Sequence, residues 1–269
     1  MDSWSPQTVT ANGVTLAYYR RGSGAPVVLA HGITDSGLCW LPVARRLAER
    51  FDVIMYDARG HGRSESPPSG YTLADYAADL AGLVRALGLQ RPAVLGHSMG
   101  AATAALAAAS NPGLFSRVAL EDPPWMALPE GAPPPDPTER FEQWRAQVVE
   151  NKRKTREELL ALGRAQSPRW SEEELEPWAE AKQQVNPEIF SGIRTIGEGW
   201  QEMVPQITCP TLLITGDPAA GAIVTPAMVE KLRGLKPDLQ VAHVPGAGHS
   251  IRREGLEAYM AAVEEFLGG

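Results

Sequence analysis

Six short apolar runs, at residues 27–30, 53–56, 93–95, 118–120, 211–214 and 240–244, constrain the fold more than any other feature of the chain. They are rich in Val, Ile and Leu and lack polar alternation, the pattern of strands covered on both faces in a parallel sheet. Stretches of helical patterning separate them, at 41–50, 73–87, 101–109, 226–232 and 256–267. This alternation predicts an α/β protein with a doubly wound, mostly parallel sheet and right-handed crossovers. Ahead of it, Ala11-Asn12-Gly13-Val14 carries the strongest short hairpin signal, which predicts an antiparallel leading hairpin. In such sheets ligands bind beyond the carboxyl ends of the strands.

One of those strand ends carries chemistry. Gly96-His97-Ser98-Met99-Gly100 lies between the apolar run at 93–95 and an alanine-rich helical run, so it reads as strand, sharp turn, helix. A serine hydroxyl is a weak nucleophile at neutral pH. Such a turn projects its Oγ beyond the sheet and aims a helix N-terminus at it. Ala30-His31-Gly32-Ile33, the stretch from Asp57 to Ser64, Gly96 to Gly100, and Gly246-Ala247-Gly248-His249 follow one another in a fixed order. Together they resemble the α/β-hydrolase family, in its cap-bearing, serine-dependent form.

The resemblance implies Ser98 as nucleophile and His249 as base, with an oxyanion hole from the backbone amides of Met99 and Ile33. His31 is expected to hold its loop by hydrogen bonds, and His97, His61 and His243 to be structural. The acid departs from the commonest pattern, because Gly216-Asp217-Pro218-Ala219 puts alanine where relatives carry aspartate. Asp217 comes two residues early, and Pro218 stiffens the turn. The family's second location, directly after the sixth strand, holds Glu121-Asp122. Asp122 is therefore the predicted acid, with Asp217 and Glu121 as alternatives. Trp40 and Trp125 are expected to flank and roof the substrate pocket.

The strand–helix alternation stops between Pro123 and about Val204, where prolines and helix-start signals at Asp136-Pro137, Thr155-Arg156-Glu157-Glu158 and Ser171-Glu172-Glu173-Glu174 predict an all-helical insertion. It resembles the family's cap. The expected division is 1–122 and 205–269 for the core and 123–204 for the cap. Five of the seven tryptophans fall in or beside this segment, which predicts an apolar pocket roof.

Composition narrows the rest. A net charge of −7, with no concentrated basic tract, argues against nucleic acid as a partner, and no apolar run reaches membrane-spanning length. The first residues lack the basic and apolar regions of a signal peptide, so a cytoplasmic location is expected. Two cysteines and five scattered histidines make neither a disulfide framework nor a metal site, and no metal or cofactor is expected. The serine excludes the aspartate-dependent dehalogenase and epoxide hydrolase chemistries of the same fold. The resemblance thus implies hydrolysis of a carboxylic ester or lactone through an acyl-serine, by a monomer or homodimer acting on a small molecule. Carbon–carbon bond hydrolysis, perhydrolysis, and thioester or amide hydrolysis are the enzymatic alternatives, and a small-molecule receptor is the non-enzymatic one.

Overall fold

A computed structural model describes residues 4–125, 136 and 138–269. Its strands are β1 (Gln7–Ala11), β2 (Val14–Gly22), β3 (Pro26–Ala30), β4 (Asp52–Tyr56), β5 (Ala93–His97), β6 (Arg117–Glu121), β7 (Thr211–Thr215) and β8 (Gln240–His243). The helices are α1 (Leu41–Leu47), α2 (Leu73–Ala86), α3 (Met99–Ser110), α4 (Thr138–Asn151), α5 (Arg156–Gln166), α6 (Glu172–Gln184), α7 (Trp200–Met203), α8 (Pro226–Leu235), α9 (Ile251–Glu254) and α10 (Leu256–Gly268).

The strands form one sheet in the order β1-β2-β4-β3-β5-β6-β7-β8. The β1–β2 and β2–β4 pairs are antiparallel and the rest are parallel. Asn12 and Gly13, with φ of 51° and 77°, make the two-residue turn that closes the leading hairpin at Ala11 opposite Val14. Because successive side chains of a strand point to opposite faces, each parallel strand feeds two cores. Val28, Ile54, Val94, Val118 and Leu213 pack toward α2, α3 and α8. Val27, Leu29, Val53, Met55, Leu95, Leu212 and Ile214 pack toward α1 and α10. The alanines of α3 are all buried, and their small side chains let this helix lie close against the sheet.

Helices α4 to α7 occupy the connection between β6 and β7. Thr155 and Glu158 form the predicted reciprocal cap of α5. Ser171 caps α6 but Glu174 does not reciprocate, because its carboxylate is held by Arg253 Nε at 3.0 Å. Asp136 accepts a hydrogen bond from Thr138 N at 2.9 Å, while Pro137 and the prolines at 133–135 lie outside the described residues. Where the chain leaves the core, Trp125 stacks on Trp200, which stands near the point of return, with ring centres 5.8 Å apart and planes 13° from parallel. No described helix is long and apolar enough to cross a membrane.

Candidate active site

Ser98 stands between β5 and α3 with φ 51° and ψ −113°, a left-handed backbone that costs an L-residue on the order of 1–3 kcal/mol. Its surroundings hold it there. Ser98 N donates to Glu121 O on the neighbouring strand, and Ser98 O accepts from Ala101 N and Ala102 N in the first turn of α3. The flanking glycines are required by close approach rather than by loop flexibility. A Cβ on Gly96 would lie 2.3 Å from Gly100 O, and one on Gly100 would lie 2.1 Å from Ala30 O. The turn thereby presents the Ser98 hydroxyl to a cavity, and among the described residues that hydroxyl has no hydrogen-bond partner.

His249 follows β8 and faces the same cavity. Its Nδ1 lies 2.6 Å from Asp122 Oδ2; an ionised carboxylate only accepts, so Nδ1 carries the proton and Nε2 is left free as a base. Asp122 is fully buried at the end of β6, with φ 40°. Three contacts from backbone amides fix its carboxylate: Val224 N to Oδ1 at 2.9 Å, and Ile223 N to Oδ2 and Oδ1 at 2.8 and 3.1 Å.

Ile33 and Met99 line the cavity beside Ser98. Neither backbone N–H has an acceptor among the described residues, so both donors are unspent beside Ser98. The loop that carries Ile33 is tied down on every side. His31 accepts from Ala58 N through Nε2 at 2.9 Å, which puts its proton on Nδ1, 2.8 Å from Gly32 O. Burial pushes the His31 pKa down to about 3, so the ring stays neutral. His61 places its ring nitrogens 2.7 Å from Ile33 O and 2.8 Å from Arg59 O.

The cavity holds about 610 Å³. Core residues Ile33, Thr34, Ser98, Met99, Ile223 and His249 form its floor, and Phe141, Trp144, Leu162, Trp178 and Ile196 of the insertion give it an apolar wall. Three cationic side chains, Arg140, Lys182 and Arg194, also line it, and among the described residues no Asp or Glu does.

A sequence model of the alpha/beta hydrolase fold matches residues 25–254. The chain belongs to the α/β-hydrolase family. N-formylmaleamate deformylase of Pseudomonas putida is 35% identical, over 96% of this chain and 95% of its own. The 2-(acetamidomethylene)succinate hydrolase of Mesorhizobium japonicum is 30% identical, over 99% and 96%. Among solved structures, an N-formylmaleamic acid deformylase from Pseudomonas putida superposes with a TM-score of 0.82 at 30% identity, covering 96% of this chain and all of that one.

Within this α/β-hydrolase, two expected pocket residues lie elsewhere. Trp40 is fully buried on the opposite face of the sheet, between the Arg252 guanidinium 4.2 Å from its ring and Tyr259. It immediately precedes α1, whose Val43, Ala44 and Leu47 belong to the same core as Trp40. Trp125 is 2% exposed and spends its face on Trp200, leaving Pro124 to line the cavity. The alternative acids are also engaged apart from His249. Asp217 accepts from Gly246 N at 2.6 Å and lies 3.1 Å from His243 Nε2. Glu121 accepts from Arg252 N at 3.0 Å and from its guanidinium at 3.2 Å. Burial pushes the Glu121 carboxyl up against the pull of that arginine.

Sequence patterning missed a buried ionic cluster around the site. Asp35, two residues past Ile33, lies 3.1 Å from Arg253, 3.4 Å from Arg252 and 3.5 Å from Lys182 of α6. Burial by itself would raise the Asp35 carboxyl, but these three cations hold it well below the ordinary carboxylate range. His97, expected to be structural, packs beside the turn with its Nε2 2.9 Å from His249 O. Burial, with Arg252 nearby, lowers its pKa far below the usual histidine value, so a neutral ring donates from Nε2 and anchors the His249 backbone. Adjacency to Ser98 was the only sequence signal for that role.

Proposed function

We propose that this protein hydrolyses the acyl–nitrogen bond of a small, carboxylate-bearing amide through an acyl-serine intermediate. In this reading Ser98 attacks the acyl carbon while His249 Nε2 takes its proton, and the amides of Ile33 and Met99 receive the developing oxyanion. Asp122 holds the imidazole in the required tautomer and stabilises its charged form. His249 then delivers the proton to the leaving nitrogen, and water activated by the same ring releases the acid.

The observation that carries the substrate class is the charge of the cavity wall. Among the described residues Arg140 and Arg194 line it without a carboxylate in ion-pair contact, the nearest electrostatic influence being Asp136 on Arg194. An anionic substrate group would supply that partner, at about 1.5–3 kcal/mol for a charge-assisted hydrogen bond. The bond type draws its support from the relatives: one is named for an N-formyl amide and the other for an acetamido-substituted dicarboxylate, and both share nearly the full length of the chain. An ester of similar shape would form the same acyl-serine, so the expected ester activity is a side reaction in this reading.

Specificity constants test it. An N-formyl or N-acetyl amide of an unsaturated dicarboxylic acid should exceed its neutral methyl-ester counterpart by at least about tenfold, in line with one such contact. Ser98→Ala should abolish turnover of both by about 10⁴-fold or more. A preference for neutral esters, or near wild-type turnover by folded Ser98→Ala, would overturn the reading.

A further inference from the structure

Lys182 is a cation of the cavity wall whose ammonium is fixed on the core. It comes from α6 of the insertion, is 6% exposed, and its Nζ lies 2.7 Å from both Thr34 O and Thr34 Oγ1 and 3.5 Å from Asp35 Oδ1. A long side chain with its ammonium fixed on a backbone carbonyl is badly placed to follow a substrate. Its target matters more.

The Thr34 carbonyl shares its peptide group with the Asp35 N–H. That N–H donates to Gly32 O at 3.1 Å. The Gly32 carbonyl in turn shares its peptide group with the Ile33 N–H, one of the two unspent donors beside Ser98. Lys182 therefore stands at one end of a chain of two hydrogen-bonded peptide units whose other end is the oxyanion donor. Each hydrogen bond in such a chain polarises the next, and the dipoles point the same way. A cation on the first carbonyl draws electron density toward itself and leaves the last N–H a stronger, better-aimed donor. His31 Nδ1 adds to this at Gly32 O.

We propose that Lys182 is a positioning residue of the oxyanion hole, acting through the Thr34–Asp35 and Gly32–Ile33 peptide groups, and that seating of the insertion on the core thereby completes the hole. The inference rests on the reading of Ser98 and Ile33 given above. It separates Lys182 from Arg140 and Arg194, to which that reading leaves the substrate carboxylate.

The test uses the full-length protein and Lys182→Met, which matches the side chain in length. Asp35 keeps Arg252 and Arg253 in this variant, so no bare buried charge is created. Lys182→Gln, which leaves a polar group at the site, serves if the methionine variant does not fold. Turnover is measured on an anionic N-acyl amide and on neutral p-nitrophenyl acetate, together with inhibition by an alkylboronic acid, whose tetrahedral adduct on a serine mimics the oxyanion. The expected result is a kcat lower by about 10- to 100-fold on both substrates, the scale of a misplaced catalytic group or a lost oxyanion donor. KM should stay within about threefold, and boronic acid affinity should fall in parallel with kcat. A folded variant that turns over the neutral ester and binds the boronic acid within about twofold of wild type overturns the proposal; a loss confined to KM of the anionic substrate makes Lys182 a substrate anchor instead. Failure of the boronic acid to inhibit wild type would count against the serine-hydrolase reading itself and take this inference with it.

Discussion

Replacing Asp122 by asparagine isolates what its charge does, because the surrounding backbone dictates how the new amide must sit. Oδ1 accepts from Val224 N and Ile223 N at 2.9 and 3.1 Å, while Oδ2 faces His249 Nδ1 at 2.6 Å. If the NH2 took the Oδ1 place, the N–H of Val224, a residue 1% exposed, would lose its acceptor at a cost of about 1–3 kcal/mol. With the NH2 in the Oδ2 place, the 2.8 Å contact of Ile223 N to Oδ2 is lost, but Oδ1 still accepts from Val224 N and, at 3.1 Å, from Ile223 N, and the NH2 donates to His249. That orientation wins, and it strips the proton from Nδ1. The imidazole is locked with its proton on Nε2, unable to accept one from Ser98. The equivalent change in serine proteases costs about 10⁴-fold, or roughly 5.5 kcal/mol at 1.36 kcal/mol per decade. Stopped-flow acylation by p-nitrophenyl acetate should show a loss of about 10³- to 10⁴-fold for Asp122→Asn, with a melting temperature close to wild type. Asp217→Asn, which alters only the contacts to Gly246 N and His243, should lose less than about tenfold. Acylation by Asp122→Asn within about tenfold of wild type, with Asp217→Asn nearly inactive, would refute the reasoning.

Two further outcomes follow from packing and burial. His31 is neutral in the folded protein with a pKa near 3, below the ~6.5 of an unfolded histidine, so its contribution is full above about pH 6.5 and is lost as pH falls toward 3. His31→Gln should therefore be less stable than wild type at pH 7.5, and the gap in unfolding free energy should narrow by about 1 kcal/mol at pH 5.5; a constant or widening gap in denaturant titrations would mean the ring protonates in place. Trp125→Ala should act on stability rather than on substrate choice, because the indole is buried against Trp200 and absent from the cavity wall. A loss of about 3–5 kcal/mol is expected, with the ranking among acyl groups unchanged; a reordered ranking at unchanged melting temperature would return Trp125 to the pocket.

What could be read from the sequence was whatever depends on local order. Apolar runs without alternation gave strands, Asn12-Gly13 gave the hairpin, and the order of glycine-flanked motifs indicated which loops meet at the carboxyl edge of the sheet. The departure at Ala219 pointed to Asp122, the carboxylate that faces His249 in the structure. Roles that depend on orientation were hidden. A tryptophan is compatible with pocket and core alike, and nothing in the local pattern shows that Trp40 packs on the far face of the sheet. Glu174 read only as a helix-start residue, and nothing in the local pattern marked Lys182, Arg252 or Arg253 as buried, since isolated charges avoid the interior. Only the meeting of four segments distant in sequence, carrying Asp35, Glu121, Glu174 with Lys182, and Arg252 with Arg253, lets these groups neutralise one another.

The stacked indoles of Trp125 and Trp200 make the exit and return of the inserted helices a single joint. Trp125 stands three residues beyond Asp122, so without the joint any strain in the helices would be delivered directly to the carboxylate that His249 faces. With it, the span between the two rings can be lengthened, shortened or exchanged as a cassette while its two attachment points stay in register. New pocket walls can then be tried on an unchanged catalytic floor, and a chimaera that keeps both tryptophans should inherit the host's chemistry along with the donor's choice of substrate.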